Sequence, residues 1–327
     1  MGVVRQLRQV DADDSGIDIA FRADVHAGLS QAQKAIPARW FYDATGSALF
    51  EDITGLPEYY PTRSEVALLT RHARELAAAI GPGRAVVELG SGSSTKTPLL
   101  LDAIAPGAYV PVDISGDFLR DSAAALSARF PDLPVYPVEA DFTQPVALPR
   151  EICGLAKLGF FPGSTIGNMV ARSAVDLLRH WRGALGDGAL MLIGIDRVKD
   201  IGTLERAYDD SAGVTAAFNL NLLERINREL DGDIPLDAFE HRALWNDDLG
   251  RIEMHLAATR NVRFHAAGGT FSLREGETVH TENSHKYTIE DARLLARAAG
   301  WRPVRYWIDA RGLFSLHLWR GGVDTME

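Results

Sequence analysis

One short run constrains this chain more than any other: Val86-Val87-Glu88-Leu89-Gly90-Ser91-Gly92-Ser93-Ser94-Thr95. It reads as a buried strand, a Gly-x-Gly turn and the start of a helix. Glycines in such a turn adopt positive φ and let the backbone approach a ligand closely. The next hundred residues keep the same rhythm. Apolar strands are expected at 85–89, 108–112, 134–138, 158–161 and 189–195, with helices at 97–104, from Ser115 to 130, and at 173–185. Short apolar strands alternating with helices specify a mostly parallel sheet covered on both faces. Upstream, Thr62-Arg63-Ser64-Glu65 has the form of a capping box. Val66, Leu69, Ala73, Leu76 and Ile80 then recur at helical spacing until Gly81-Pro82-Gly83.

The rhythm breaks after Asp196. Residues 198–230 carry helical spacing, and strands are expected at 241–245, 251–258, 262–265 and 277–286. A helix capped by Thr288 and running to 299, then strands at 303–308 and 313–319, resume the first pattern. The expected architecture is α/β: a Rossmann-like domain from 63–196 and 287–327, and a second, smaller α+β domain from 1–62 and 197–286 that binds substrate.

Net charge is −10 with no dense Lys/Arg run, which argues against a nucleic-acid partner. The single cysteine, Cys153, excludes an intrachain disulfide and a cysteine-built zinc site, and is read as a buried, inert thiol. No compact His/Asp/Glu ligand motif stands out, so no metal is expected. The opening residues, MGVVRQLRQVDADDSG, lack the apolar core of a signal peptide, and Gln6 stands where myristoylation of Gly2 needs Ser or Thr. No apolar run approaches the roughly 18–20 residues that span a bilayer. A cytoplasmic monomer acting on a small molecule, away from membranes, is expected.

The strand ends carry the chemistry. A full dinucleotide fingerprint would place a third glycine where Thr95 stands, which disfavours a pyrophosphate. Glu88, just before the loop, suits the cationic methionine end of S-adenosylmethionine (SAM). Asp113 ends the second strand 21 residues after Gly92, the spacing at which a carboxylate accepts from ribose hydroxyls. Asp141-Phe142, after the third strand, suit an adenine amino group and ring. Singly, each has a plainer reading: Gly-x-Gly as a tight turn, Asp113 as a helix cap. In series they point to a nucleoside, and Glu88 with the missing glycine to SAM over NAD.

Four blocks then carry a specific resemblance: WFYDATG (40–46) with LPEYYPTR (56–63), FPGSTIGN (161–168), RAYDDSAGVTAAF (206–218) and TENSHKY (281–287). Together they resemble the ergothioneine-pathway L-histidine Nα-methyltransferases, over about residues 20–320. The resemblance implies a Rossmann-like SAM domain interleaved with a substrate-binding domain, and trimethylation of the histidine α-amine to the betaine. It implies that Asn168, with Gly163 in the same loop, and Tyr42, Tyr59 and Tyr208 hold the α-amine and α-carboxylate. Tyr42 and Asn168 are the candidates nearest the chemistry. Glu282 and Ser284 would read the imidazole, and Met254 would line its pocket. For SAM it implies Gly90 and its loop (Ser91, Gly92), Lys96, Asp113, Asp141 and Phe142, beside the Glu88 read from the strand end. His285 in TENSHKY departs from the usual aromatic or small residue.

Elementary chemistry agrees with the imidazole pair. Residues two apart on a strand face one side, so Glu282 and Ser284 can converge. A carboxylate accepts from one ring nitrogen while a hydroxyl donates to the other. An exposed strand with a polar face would show the same two residues. Lys96 opens a helix, where a cation opposes the dipole, which favours a ligand role near the SAM carboxylate. The alternatives are methylation of another amino acid, such as a tryptophan derivative, a NAD-dependent Rossmann oxidoreductase, and a binding protein that keeps the pocket without turnover.

Overall fold

The computed structural model describes residues 18–92 and 96–322. The expectations about the N-terminal sixteen residues and about Thr95 lie outside the described residues. The chain forms two compact units. One comprises residues 61–198 and 285–322, the other 18–60 and 199–284.

The first unit is built on a seven-stranded sheet. Its spatial order is Trp301–Ile308, Phe314–Gly321, Leu190–Asp196, Lys157–Phe161, Ala85–Leu89, Ala108–Asp113, Val138–Glu139. The last five are mutually parallel, and Phe314–Gly321 runs antiparallel to both its neighbours. This is the doubly wound, Rossmann-like arrangement. The chain's direction of travel reverses between Ala85–Leu89 and Lys157–Phe161, and ligands of such sheets sit at the carboxyl ends of the strands flanking that point.

Every residue of Ala85–Leu89 is buried, because the strand feeds both faces. Ala85, Val87 and Leu89 join one core with Leu178, Trp181 and Leu295, from helices Ala171–Leu185 and Ile289–Ala298. Val86 joins the opposite core with Leu69, Leu76 and Leu101, from helices Tyr60–Arg71, Ala73–Ile80 and Thr97–Ile104. Thr288 and Asp291 form a reciprocal capping box at the start of Ile289–Ala298.

The structure corrects four local expectations in this unit. The third strand shrinks to Val138–Glu139, with only an isolated bridge from Tyr109 to Val135 upstream. Ser115 makes no side-chain cap, and its amide instead donates to Asp113 Oδ1. Helix Tyr60–Arg71 begins before Thr62, so Thr62 and Glu65 form no capping box, and a break at His72 separates it from Ala73–Ile80. Cys153 is exposed rather than buried.

The second unit has a four-stranded sheet in the order Lys34–Ala35, Thr278–His285, Arg251–Ala258, Phe239–Asn246, and a hairpin, Val262–Ala266 with Gly269–Leu273. Helix Val214–Glu229 packs Phe218, Leu222, Leu223 and Ile226 into its core, and helices Ile19–Leu29 and Ala44–Gly55 complete it. Asp210 accepts the free amides of Val214 and Thr215, which fixes the start of the long helix. No helix among the described residues is long and apolar enough to cross a membrane.

Candidate active site

In the first unit the predicted cofactor residues gather at the carboxyl ends of the strands. Gly90 and Gly92 both have positive φ, 69° and 50°. The turn this allows brings the Gly90 backbone against Phe142, whose ring lies 3.2 Å from where a Cβ on Gly90 would stand. The Gly92 amide donates to Asp113 Oδ2 at 2.9 Å, so this carboxylate braces the glycine turn. Phe142 lies edge-on to Phe161, with its carbonyl accepting from Trp181 Nε1 at 2.9 Å. Asp141 is held by the Thr143 amide and hydroxyl.

Ser91 Oγ is buried and has no hydrogen-bond partner among the described residues. A glycine cradle, an acid beside it, an aromatic face and an unsatisfied hydroxyl fit a nucleoside-bearing ligand such as SAM. Gly90, Ser91, Gly92, Asp113 and Phe142 are the residues that would hold it.

Glu88 has a different environment. It is fully buried, and its Oε2 accepts from the hydroxyls of Thr97 at 2.7 Å and Tyr109 at 2.5 Å. Burial pushes its carboxyl up to about 7, against the pull of those hydroxyls and of Lys96. Lys96 pairs with Glu65 at 2.7 Å, and the same Glu65 oxygen accepts from the Gly163 amide at 2.9 Å. Glu65 therefore ties the loop after Ala85–Leu89 to the loop after Lys157–Phe161. Sequence reasoning assigned it to a cap. Nothing in the local sequence marks it, because its partners lie far along the chain.

Asn168 ends a single 3₁₀ turn, Thr165–Asn168, and is half-buried. Ser164, at φ 58°, accepts the Asp196 amide at 2.9 Å and anchors this turn to the end of a neighbouring strand. A Cβ on Gly167 would stand 2.8 Å from the His285 carbonyl oxygen, so glycine there permits the close approach of the two backbones.

In the second unit Tyr42, Tyr59, Tyr208 and Met254 belong to one apolar cluster. Tyr42 meets Phe50 and Phe218 edge-on, at 5.7 and 5.9 Å between ring centroids. Its neighbour Asp43 caps helix Ala44–Gly55 and binds the Gly46 amide, Asn221 and Arg228. Burial acts to raise the Asp43 carboxyl, but these partners together hold it below the ordinary carboxylate value. Asp43 thus stays charged and locks the segment that carries Tyr42.

Tyr59 lies edge-on to Tyr208 at 6.3 Å, and the Tyr208 and Ser284 hydroxyls are 2.7 Å apart. Glu282 is half-buried on the same strand, with its carbonyl accepting from His280 Nε2 at 3.0 Å. The structure therefore joins Tyr42, Tyr59, Tyr208, Met254 and Ser284, with Glu282 two residues from Ser284. Sequence reasoning found no ligand-type grouping, yet Glu253, His255 and His280 converge on neighbouring strands of this unit. Only pairing of strands distant in sequence reveals that cluster.

Residues 21–321 match the model of a family described as "Histidine-specific methyltransferase, SAM-dependent". The chain is 44% identical over 313 residues to the histidine N-alpha-methyltransferase of Mycolicibacterium smegmatis, covering 94% of this chain and 96% of that protein. It is 30% identical over 299 residues to ergothioneine biosynthesis protein 1 of Neurospora crassa, covering 87% of this chain and 33% of that protein. It is also 26% identical to a 4-dimethylallyltryptophan N-methyltransferase of Epichloe festucae var. lolii, covering 94% of this chain and 95% of that protein.

Proposed function

The chain belongs to the SAM-dependent, histidine-specific methyltransferase family, and from that premise we propose that it trimethylates the α-amine of free L-histidine, the first step towards ergothioneine. The observation that carries the choice of substrate is the Ser284 hydroxyl held 2.7 Å from that of Tyr208, with Glu282 two residues away. A carboxylate and a hydroxyl read both nitrogens of a neutral imidazole. An indole has one ring N–H and no acceptor nitrogen, so it would leave this pair half-satisfied, and unpaired buried polar groups give strong discrimination.

SAM supplies a methyl group on a sulfonium. The chain's own part is to bind, orient and exclude water. Gly90, Ser91, Gly92, Asp113, Asp141 and Phe142 would hold the nucleoside end, and Lys96, which pairs with Glu65, would meet the carboxylate of the methionine end. Tyr42, Tyr59 and Tyr208, in the second unit, hold the amino acid's α-amine and α-carboxylate, and Met254 packs beside its side chain. The α-amine must be unprotonated to attack, and its lone pair forms the new N–C bond as the S–CH3 bond breaks and the sulfur leaves as a neutral thioether. Its proton passes to solvent before each transfer. Tyrosine hydroxyls suit this sequence, since the product gains a fixed positive charge and the rings can stabilise it.

The test is incubation of purified protein with SAM and each proteinogenic amino acid, read by mass spectrometry. Histidine alone should gain the mass of three methylene units. Methylation of tryptophan or a derivative instead would retain the cofactor assignment and overturn the imidazole reading.

A further inference from the structure

Among the described residues, one group of three side chains has the make-up of a metal site: Glu253, His255 and His280. None has a part in the methyl transfer proposed above. Glu253 and His255 lie two apart on Arg251–Ala258 and so face one side of the sheet. His280 comes from the adjacent strand, its ring nearly parallel to that of His255 with centroids 4.7 Å apart. One ligand atom from each lies within 4.8 Å of the other two. Between His255 Nε2 and Glu253 Oε2 the distance is 3.0 Å. Ligands of a tetrahedral zinc ion with bonds of about 2.0–2.1 Å stand about 3.3 Å apart, so this pair, joined by a hydrogen bond, would part by about 0.3 Å to take the ion between them.

The atoms that would not touch an ion are each held by an outer partner. Glu253 Oε1 accepts from Arg251 at 2.8 and 2.6 Å and from Asn246 at 2.9 Å. His255 Nδ1 lies 3.0 Å from the Thr278 hydroxyl. His280 Nε2 lies 3.0 Å from the Glu282 carbonyl oxygen, to which it donates, leaving Nδ1 as the nitrogen this residue offers. Metal-ligating histidines and carboxylates are oriented in this way by partners on their far atoms, which fix the tautomer and the ring direction.

We propose that Glu253 Oε2, His255 Nε2 and His280 Nδ1 form a site for one zinc ion, with water as the fourth ligand. A turn of the His280 ring closes its side of the triangle. Binding displaces the proton from His255 Nε2 to solvent, and Nδ1–H then donates to Thr278 Oγ1. The ion has a structural role: it clamps Arg251–Ala258 to Thr278–His285, the strand that carries Glu282 and Ser284.

The experiment is titration of the purified full-length protein with cobalt(II) chloride, followed by zinc sulfate as competitor. One equivalent of cobalt should bind with the visible absorption intensity of a four-coordinate ion, and zinc should displace it with a Kd below about 10 μM. X-ray absorption of the zinc-loaded protein should count two imidazole ligands. The half-buried His280→Asn should weaken zinc at least ~100-fold while circular dichroism and SAM binding stay unchanged, and Thr278→Val should weaken it about 10-fold through the lost outer partner. The chain has nine histidines, so surface binding is a real competitor. No stoichiometric binding, a six-coordinate cobalt spectrum, or a zinc affinity unaltered in His280→Asn would each overturn the proposal.

Discussion

Two buried or half-buried carboxylates have opposite roles at the residue scale. Glu282, as a reader of the imidazole, should matter to one ligand alone. Glu282→Ala is expected to raise the histidine KM by tenfold or more, since a charge-assisted hydrogen bond contributes ~1.5–3 kcal/mol. The SAM Kd, measured by calorimetry, should not move; equal weakening of both ligands would reject the assignment. Glu88 is instead a carboxyl that burial holds near neutrality, at about 7 against an ordinary 4.5. The folded state binds its proton more tightly than the unfolded chain does. Its contribution is therefore full below pH 4.5 and is lost progressively as pH rises to about 7. The loss amounts to about 3 kcal/mol at ~1.4 kcal/mol per pH unit. Glu88→Gln keeps an acceptor for Thr97 and Tyr109 but cannot ionise. Urea denaturation across this window should show the wild type losing stability relative to the variant as pH rises, whereas parallel curves would show that Glu88 ionises as freely folded as unfolded.

At the scale of elements, the strand Leu190–Asp196 shows how a glycine can be dictated from outside its own strand. A Cβ on Gly194 would stand 2.0 Å from Glu65 Oε1, on a helix more than a hundred residues earlier. Glu65 is fully buried, so it has nowhere to withdraw. Gly194→Ala should cost about 1–3 kcal/mol through overpacking. The displaced Glu65 would also release Lys96 and the Gly163 amide. SAM affinity should therefore fall together with the melting temperature, and a variant as stable and as tight-binding as the wild type would show that the helix shifts freely.

For the whole molecule, the proposed SAM residues fall in the first unit and the proposed imidazole readers, Glu282 and Ser284, in the second. Hydrogen exchange can separate them. SAM alone should protect amides around 90–92, 113–115 and 140–143, and histidine added afterwards should protect amides around 206–208 and 280–284. Protection of the second set by SAM alone would show that the two ligand sites are not assigned to separate units. Local sequence determined much of this molecule. The strand–glycine–helix run, four of the five parallel strands and the capping box of Thr288 were legible because hydrophobic period and turn chemistry act over a few residues. The four sequence blocks, which hold the tyrosines, Asn168, Glu282 and Ser284, resemble one family, and residues 21–321 match its model. The helices Ile19–Leu29 and Ala44–Gly55 were not legible, because their apolar positions answer to a core assembled from distant segments. Along Thr278–His285 strict alternation would bury residues 279, 281 and 283, yet Ser284 is buried in place of Asn283, next to Tyr208. The pairing of Lys96 with Glu65, the bracing of Gly92 by Asp113 and the meeting of Glu253, His255 and His280 were likewise decided only in three dimensions. Each joins groups from separate elements, and a short window of sequence carries no information about which strand will lie beside which.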